Sequence, residues 1–113
     1  MATLIIFDSA GPLPQQANFN APADGPVTFF LSGTARTEGA PTLIGITLII
    51  DGNMIGKAMC WVNQNDNHQA MRASLVNLDF LSLGEHTIEI INDPDLPNTI
   101  TDENDYFQVA LMY

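Results

Sequence analysis

The chain has 113 residues and a net charge of −10, from thirteen acids against three basic residues. Three basic side chains cannot neutralise a row of phosphates, which argues against nucleic acid and against an anionic membrane surface as partners. The polar residues are mainly Asn, Thr, Ser and Gln, and the Glu-, Lys-, Arg- and Ala-rich runs of exposed helices are missing, which favours an all-β protein. The length predicts one domain, residues 1–113.

Neither the first residues nor the cysteine content indicates a particular compartment. Met1–Asp8 lacks a basic region, and its apolar run is too short for a signal peptide. No stretch approaches the ~20 apolar residues of a membrane span. Cys60 is the only cysteine, so an internal disulfide is excluded and a buried, inert thiol is expected. We therefore expect a cytoplasmic protein or one exported by a non-classical route.

The first third of the chain predicts two strands separated by a proline-rich segment. Thr3–Phe7 is a short apolar strand. Residues 12–26 contain four prolines, and because proline has no amide hydrogen to donate, we predict a loop or a sheet edge there. Val27–Ala35 is the next strand. Phe30 indicates that its second face is partly covered, and Gly33 is a candidate β-bulge.

The clearest strand pairing is predicted in the middle of the chain. Leu43–Asp51 and Met54–Val62 are joined through Asp51-Gly52-Asn53, and Asp-Gly between apolar runs is a strong hairpin signal. Leu43–Ile50 is apolar on both faces, whereas a sandwich strand normally has one wet face. It is therefore either a central strand covered on both sides or part of a surface that meets another chain.

The second half adds three further predicted strands, Met71–Leu78, His86–Ile91 and Asp105–Tyr113. The total of seven or eight short strands, without helical periodicity, predicts an antiparallel two-sheet β-sandwich, jelly-roll or immunoglobulin-like. The pattern Leu-x-x-Gly-x-His-Thr-Ile-x-Ile at Leu81–Ile90 resembles the late strand of bacterial immunoglobulin-like and jelly-roll modules. That resemblance implies an accessory or adhesive module.

An acidic cluster precedes the last strand. Its predicted metal ligands are Asp93, Asp95, Asp102, Asn104 and Asp105, with Glu103 among them. Calcium takes roughly six to eight oxygen ligands of these types, so calcium is the candidate cofactor, and solvated turn acids are the alternative. Asp-Glu-Asn-Asp-Tyr at 102–106 resembles the calcium loop of bacterial calcium-dependent lectins with a sandwich fold. Phe107 and Gln108 stand where that family has further ligands.

A second candidate site is the polar loop after the hairpin. The predicted ligand-binding residues are Trp61, Asn63, Asn65, Asp66, Asn67 and His68. An indole ring stacks on the apolar face of a sugar, and side-chain amides bond its hydroxyl groups. The same Asn and Asp residues are also ordinary turn formers, so a purely structural loop is the alternative.

The sequence carries no catalytic signature. A closed zinc site would need both histidines, His68 and His86, together with two carboxylates. Cys60 lacks a local nucleophile motif. There is no Gly-x-Ser-x-Gly, phosphate-binding loop or dinucleotide fingerprint. We therefore expect no catalytic residues.

These observations favour a non-enzymatic binding or assembly module that presents polar loops to a partner. Methionine and aromatic residues on the second faces of strands predict self-association. A closed ring, for example a trimer, would protect the sheet edges. The alternative is a calcium-dependent, lectin-like carbohydrate-binding module. Across these two hypotheses, the expected ligand is a protein or a carbohydrate.

Overall fold

A computed structural model of the chain describes residues 2–113 and contains two antiparallel sheets. The strands are β1 (Thr3–Ala10), β2 (Gln15–Ala21), β3 (Gly25–Ala35), β4 (Thr42–Ile50), β5 (Asn53–Val62), β6 (Gln69–Ala70), β7 (Ser74–Leu81), β8 (Gly84–Asn92) and β9 (Tyr106–Met112). The five-stranded sheet has the order β1-β9-β3, with β6 and β7 both paired to β3, and the four-stranded sheet has the order β2-β8-β4-β5. The predicted β-sandwich is confirmed, with nine strands rather than seven or eight.

The core lies between the two sheets and is built by alternate residues of their central strands. The side chains that are fully buried include Phe29 and Leu31 of β3, Ile44, Ile46 and Leu48 of β4, Ile88 and Ile90 of β8, and Phe107, Val109 and Leu111 of β9. Burying each such side chain contributes about 1.5–3 kcal/mol. Among residues 2–113, no helix is long and apolar enough to cross a membrane.

The predicted hairpin joins β4 to β5 through a two-residue turn. Ile50 pairs with Asn53, so Asp51 and Gly52 are the turn residues. Their φ angles are 50° and 83°. Positive φ at both central positions defines the type I′ turn, which Asp-Gly favours.

The proline-rich segment contains the edge strand β2, which pairs only with β8. Pro12 and Pro14 precede the strand, and Pro22 and Pro26 follow it. The prolines therefore remove no amide from the β2–β8 ladder. The expected edge is confirmed for β2, whereas Gly25 and Pro26, at the end of the predicted segment, begin the central strand β3.

β4 is the central strand that is covered on both faces, so the first of the two alternatives for Leu43–Ile50 holds. Its first half lies beside residues 93–99. The Asp93 amide donates to the Gly45 carbonyl at 2.9 Å, and the Gly45 amide donates to Thr99 Oγ1 at 3.0 Å. Leu96 packs so closely on Gly45 that a Cβ there would lie 2.9 Å from its side chain.

Two local predictions need correction. Gly33 is not a bulge, because it stays in register with Phe107. A Cβ at Gly33 would lie 2.5 Å from the Phe107 ring, so the glycine is required by packing. β7 begins at Ser74 rather than at Met71. Met71 is buried and its amide donates to the Gly33 carbonyl at 2.8 Å, which takes it out of the β7 ladder.

Candidate functional site

Three connections meet at one end of the sandwich, which we call the loop end. They are residues 36–41 after β3, residues 63–68 after β5 and residues 101–105 before β9. Arg36 begins the first connection. It exchanges two backbone hydrogen bonds with Ile100, at 2.9 and 2.8 Å. This pairing fixes the start of the first connection against the chain that leads into the third.

The 63–68 connection is held by hydrogen bonds to the 36–41 connection. Asn65 Oδ1 accepts from the Ala40 amide at 2.8 Å. The Asp66 amide donates to the Thr37 carbonyl at 2.9 Å. Asp66 also has a φ of 61°, in the left-handed region that Asp tolerates better than most residues. Asn65 and Asp66 therefore brace the loop.

The Arg36 guanidinium contacts three carboxylates at the loop end. It lies 3.2 Å from Glu38, 2.9 Å from Asp66 and 3.2 Å from Asp102. The pKa of Asp102 is lowered, first by the hydrogen bond from the Asn104 amide and then by Arg36. Asp102 therefore remains ionised and paired.

Asp105 is the buried centre of the loop end, with no accessible surface. Its Oδ1 accepts hydrogen bonds from Thr34 Oγ1 at 2.8 Å and from His68 Nδ1 at 2.7 Å. Its Oδ2 accepts from the Asp102 amide at 2.8 Å. Buried carboxylates are costly unless such partners are present. Asp105 therefore ties the third connection to β3 and to the 63–68 connection.

The five predicted calcium ligands fall into two groups with different basic partners. Asp102, Asn104 and Asp105 lie in the turn before β9. Asp93 and Asp95 instead lie 3.0 and 3.8 Å from Lys57 Nζ. At the first group, ligand atoms of His68, Asp102 and Asp105 come within 4.8 Å of one another. The Arg36 guanidinium and the His68 ring already contact this group, whereas calcium prefers a shell of oxygens.

Trp61 lies on the outer face of β5, just before the 63–68 connection, and is 58% exposed. Its Nε1 donates to Asn63 Oδ1 at 2.9 Å, which fixes the indole while leaving the Asn63 amide nitrogen for another acceptor. Met59, two residues earlier on the same face, is also exposed. Trp61 and Met59 form an exposed apolar patch on an edge strand.

The six predicted ligand-binding residues thus divide by role. All six are exposed, but the side chains of Trp61 and Asn63 bond only each other. The side chains of Asn65, Asp66 and His68 bond other parts of the chain. Arg36, which organises the connections, was not predicted as a site residue. The composition could have indicated it. With three basic residues and thirteen acids in the chain, each basic side chain is expected to contact several carboxylates.

The second histidine belongs to a separate cluster that only resembles a catalytic triad. His86 Nδ1 lies 2.6 Å from Asp51 Oδ2, and Ser82 Oγ lies 3.4 Å from His86 Nε2. However, Nε2 also lies 2.8 Å from the Ser82 carbonyl oxygen. Both ring nitrogens therefore donate, the imidazole is held as a cation, and Nε2 cannot take a proton from Ser82. The two histidines bond different carboxylates, so they do not form the zinc site considered above.

Solved structures of sugar-binding domains share this fold. The CBM36-1 domain of a multidomain xylanase from the hindgut metagenome of Trinervitermes trinervoides has a TM-score of 0.53 at 16% identity, covering 100% of this chain and 86% of that one. A family 35 carbohydrate binding module from Clostridium thermocellum has a TM-score of 0.52 at 10% identity, covering 96% and 86%. The EclA C-terminal domain, a sugar-binding protein, has a TM-score of 0.51 at 12% identity, covering 97% and 76%.

Comparisons by sequence found no relative: no protein-family model and no curated protein matches the chain. At 10% to 16% identity, the structural similarities show the fold and nothing more specific. They confirm the fold-level resemblance to β-sandwich modules. Function has to be argued from the residues on the surface.

Proposed function

We propose that this chain is a non-enzymatic carbohydrate-binding module whose ligand contacts Trp61 and the adjoining loop end. The observation that carries the proposal is the exposed indole of Trp61, fixed by Asn63 at 2.9 Å. A sugar ring has an apolar face and a rim of hydroxyl groups. An indole that is both exposed and fixed stacks on such a face with little loss of conformational freedom.

Polar groups near Trp61 support the same ligand class. Asn63 keeps its amide nitrogen free, and Asn67 is exposed in the same connection. Asn98 lies beside Thr42, at the start of the strand that pairs with β5, and its Nδ2 donates to Thr42 Oγ1 at 3.3 Å. The net charge of −10 disfavours a polyanionic glycan. The proposed ligand is therefore a neutral oligosaccharide.

The ionisable groups of the loop end support binding rather than hydrolysis. A glycosidase needs a carboxylic acid with a raised pKa beside a second, ionised carboxylate. Asp102 has a lowered pKa, and both oxygens of Asp105 are occupied by hydrogen bonds. Neither side chain is suited to donate a proton to a leaving group.

The proposal is tested by titrating the protein with neutral cello-, xylo- and manno-oligosaccharides in NMR or calorimetry. We expect Trp61→Ala to weaken binding at least about tenfold, equivalent to about 1.4 kcal/mol. The control is Phe80→Ala on β7, because Phe80 is similarly exposed, at 62%, but lies in the other sheet. A wild-type chain that binds no neutral glycan, or equal losses in the two variants, would reject the site.

We further propose that sugar binding does not require calcium. The Arg36 guanidinium supplies positive charge beside Asp102, and the His68 ring occupies one oxygen of Asp105. Binding measured in EDTA and in millimolar calcium should agree within a factor of two. A melting temperature that rises by several degrees with calcium would contradict this proposal and support the calcium-dependent form, since a ligand specific for the folded state stabilises it.

Self-association, the other expectation from the sequence, is also a proposal. It concerns a different sheet from the one that carries Trp61.

A further inference from the structure

The outer face of the five-stranded sheet carries a row of apolar side chains that crosses four strands. Ile5 on β1 pairs with Ala110 on β9, Ala110 pairs with Phe30 on β3, and Phe30 pairs with Leu75 on β7. Ile5 is 65% exposed and Leu75 is 64% exposed. We call these four residues the apolar row. Exposed apolar patches of this kind mark interaction surfaces.

The middle of the apolar row contains a hole. Ala110 has the smallest side chain of the four and lies between Ile5 and Phe30. The hole has a volume of about 190 Å³, and its lining residues are Thr3, Ile5, Phe7, Phe30, Gln108, Val109 and Ala110. Ligand pockets usually occupy about 300–1,000 Å³. This hole is too small for a ligand pocket and suits one large apolar side chain.

The geometry points to a second copy of this chain as the occupant. We propose that two copies pack face to face about a two-fold axis that runs parallel to the strands, between β9 and β3. That axis places β3 over β9 of the partner and β1 over β7 of the partner. Each Phe30 then enters the hole over the partner's Ala110, and each Ile5 meets the partner's Leu75. The interface is self-complementary, as a two-fold interface must be.

The charges of this face permit such packing in spite of the net charge of the chain. Of the thirteen acids, only Asp8 and Asp79 lie within β1, β3, β7 and β9, and none of the three basic residues does. Asp8 accepts hydrogen bonds from Tyr106 and from Gln108 within its own chain. The proposed axis keeps the two Asp8 side chains at opposite edges of the interface, on the two β1 strands.

Polar residues beside the apolar row also suit this axis. Thr28 Oγ1 donates to Asn77 Oδ1 at 2.7 Å, so the amide nitrogen of Asn77 remains free to donate. In the register of the sheet, Thr3 and Asn77 lie at the two ends of the neighbouring row. The axis brings Asn77 over the partner's Thr3, whose hydroxyl can accept that hydrogen bond.

Dimerisation through this face has a consequence that rests on the proposed function. Trp61 lies on the outer face of the other sheet, so both copies would keep it accessible, on opposite sides of the dimer. A polysaccharide or a glycan-coated surface would then be bound at two points. Two linked sites raise the overall affinity by roughly 10²–10⁴ when both can bind at once.

Sedimentation equilibrium from 1 to 200 µM tests the interface without any sugar, so its outcome is independent of the proposed function. We expect a mass of twice 12.3 kDa for the wild type. Leu75→Lys and Ala110→Leu should each raise the dimer dissociation constant at least tenfold, the second because it fills the hole. Phe80→Lys, an exposed site on the same strand outside the apolar row, is the control and should not change it.

A charge exchange tests the orientation of the axis. Ile5→Lys and Leu75→Glu should each give monomers, and their combination in one chain should restore the dimer, because each lysine then meets the partner's glutamate. Circular dichroism melting confirms that every variant is folded. A monomeric wild type, a trimer, or a dimer that Leu75→Lys leaves unchanged would overturn the proposal. So would failure of the combined variant to recover the dimer when each single variant is folded and monomeric.

Discussion

The two ends of the sandwich each contain a histidine bonded to an aspartate, but the buried partner differs. At the loop end, the carboxylate of Asp105 is fully buried and the imidazole of His68 is partly exposed. At the opposite end, the imidazole of His86 is buried and the carboxylate of Asp51 is half exposed. In each pair, the buried group determines how many hydrogen-bond partners the protein must supply.

The comparison of the two pairs shows how a β-sandwich accommodates a buried polar side chain. The buried carboxylate of Asp105 receives three donors. The buried imidazole of His86 faces two acceptors and stacks on Phe19, with ring centroids 5.6 Å apart. Both clusters join connections that are distant in sequence. They therefore tie the connections at the two ends to the strands of the sheets.

The largest expected effect is at Asp105. Asp105→Ala should lower the free energy of unfolding by about 3–5 kcal/mol, because it leaves the partly buried donors of Thr34 and Asp102 without acceptors. Urea unfolding measures the change. Glu38→Ala, which removes a mostly exposed carboxylate at the same end, is the control and should cost less than about 1 kcal/mol. A cost for Asp105→Ala close to that of the control would show that the buried hydrogen bonds do not hold the loop end.

The next largest loss of unfolding free energy is expected at His86, and the matching variant at His68 is its comparison. His86→Ala should cost about 2–4 kcal/mol, because it removes two charge-assisted hydrogen bonds and the contact with Phe19. His68→Ala should cost about 1 kcal/mol, because solvent can replace a partly exposed ring. Equal losses of unfolding free energy in the two variants would mean that burial does not govern these pairs.

The strand framework could be predicted from the sequence because its signals are local. Short apolar runs marked most of the strands, and Asp51-Gly52 marked the hairpin. Proline spacing placed residues 12–26 at an edge. Strand β6, only two residues long, carries no detectable alternation and could not be predicted.

The candidate site was predicted only in part, because its contacts join residues far apart in the chain. The exposed position of Trp61 follows from alternation along β5. The bond between His68 and Asp105 spans 37 residues, and the contact between Arg36 and Asp102 spans 66. No local sequence pattern predicts contacts between residues so far apart in the chain. Acids that are close in sequence, such as Asp95 and Asp102, were therefore grouped as one metal site although they contact different basic residues.

The pH dependence of stability should distinguish the His86 cluster from the loop end. The pKa of His86 is raised, first by the hydrogen bond to Asp51 and then by the Ser82 carbonyl. A raised folded-state pKa gives stability that is fully present below the unfolded value, about 6.5, and is lost as pH rises through the folded value. The pKa of Asp51 is lowered by hydrogen bonds from His86 and Thr87, against the opposing effect of desolvation. Its contribution is present above about 3.9 and is lost as pH falls through the folded value.

The pair should therefore stabilise the fold most between about pH 4 and 6.5. The measurement is the difference in unfolding free energy between the wild type and His86→Phe across pH 4 to 9. We expect this difference to shrink steadily above neutral pH, whereas the corresponding difference for Asp66→Asn should stay flat there. A difference for His86→Phe that does not change with pH would show that folding leaves the pKa of His86 unshifted, which would contradict this prediction.

The smallest expected effect is at the exposed rim of the loop end. Asp66→Asn removes one of the three carboxylates around Arg36, at 2.9 Å, and keeps a residue type that tolerates the left-handed backbone at this position. It should change the free energy of unfolding by less than about 0.5 kcal/mol, because Glu38 and Asp102 still pair with the guanidinium and solvent screens an exposed ion pair. Adding 0.5 M NaCl should not separate this variant from the wild type in urea unfolding. A loss of about 2 kcal/mol would instead mean that Arg36 depends on all three carboxylates. The loop end would then act as a single charged network extending from buried Asp105 to its solvent-exposed rim.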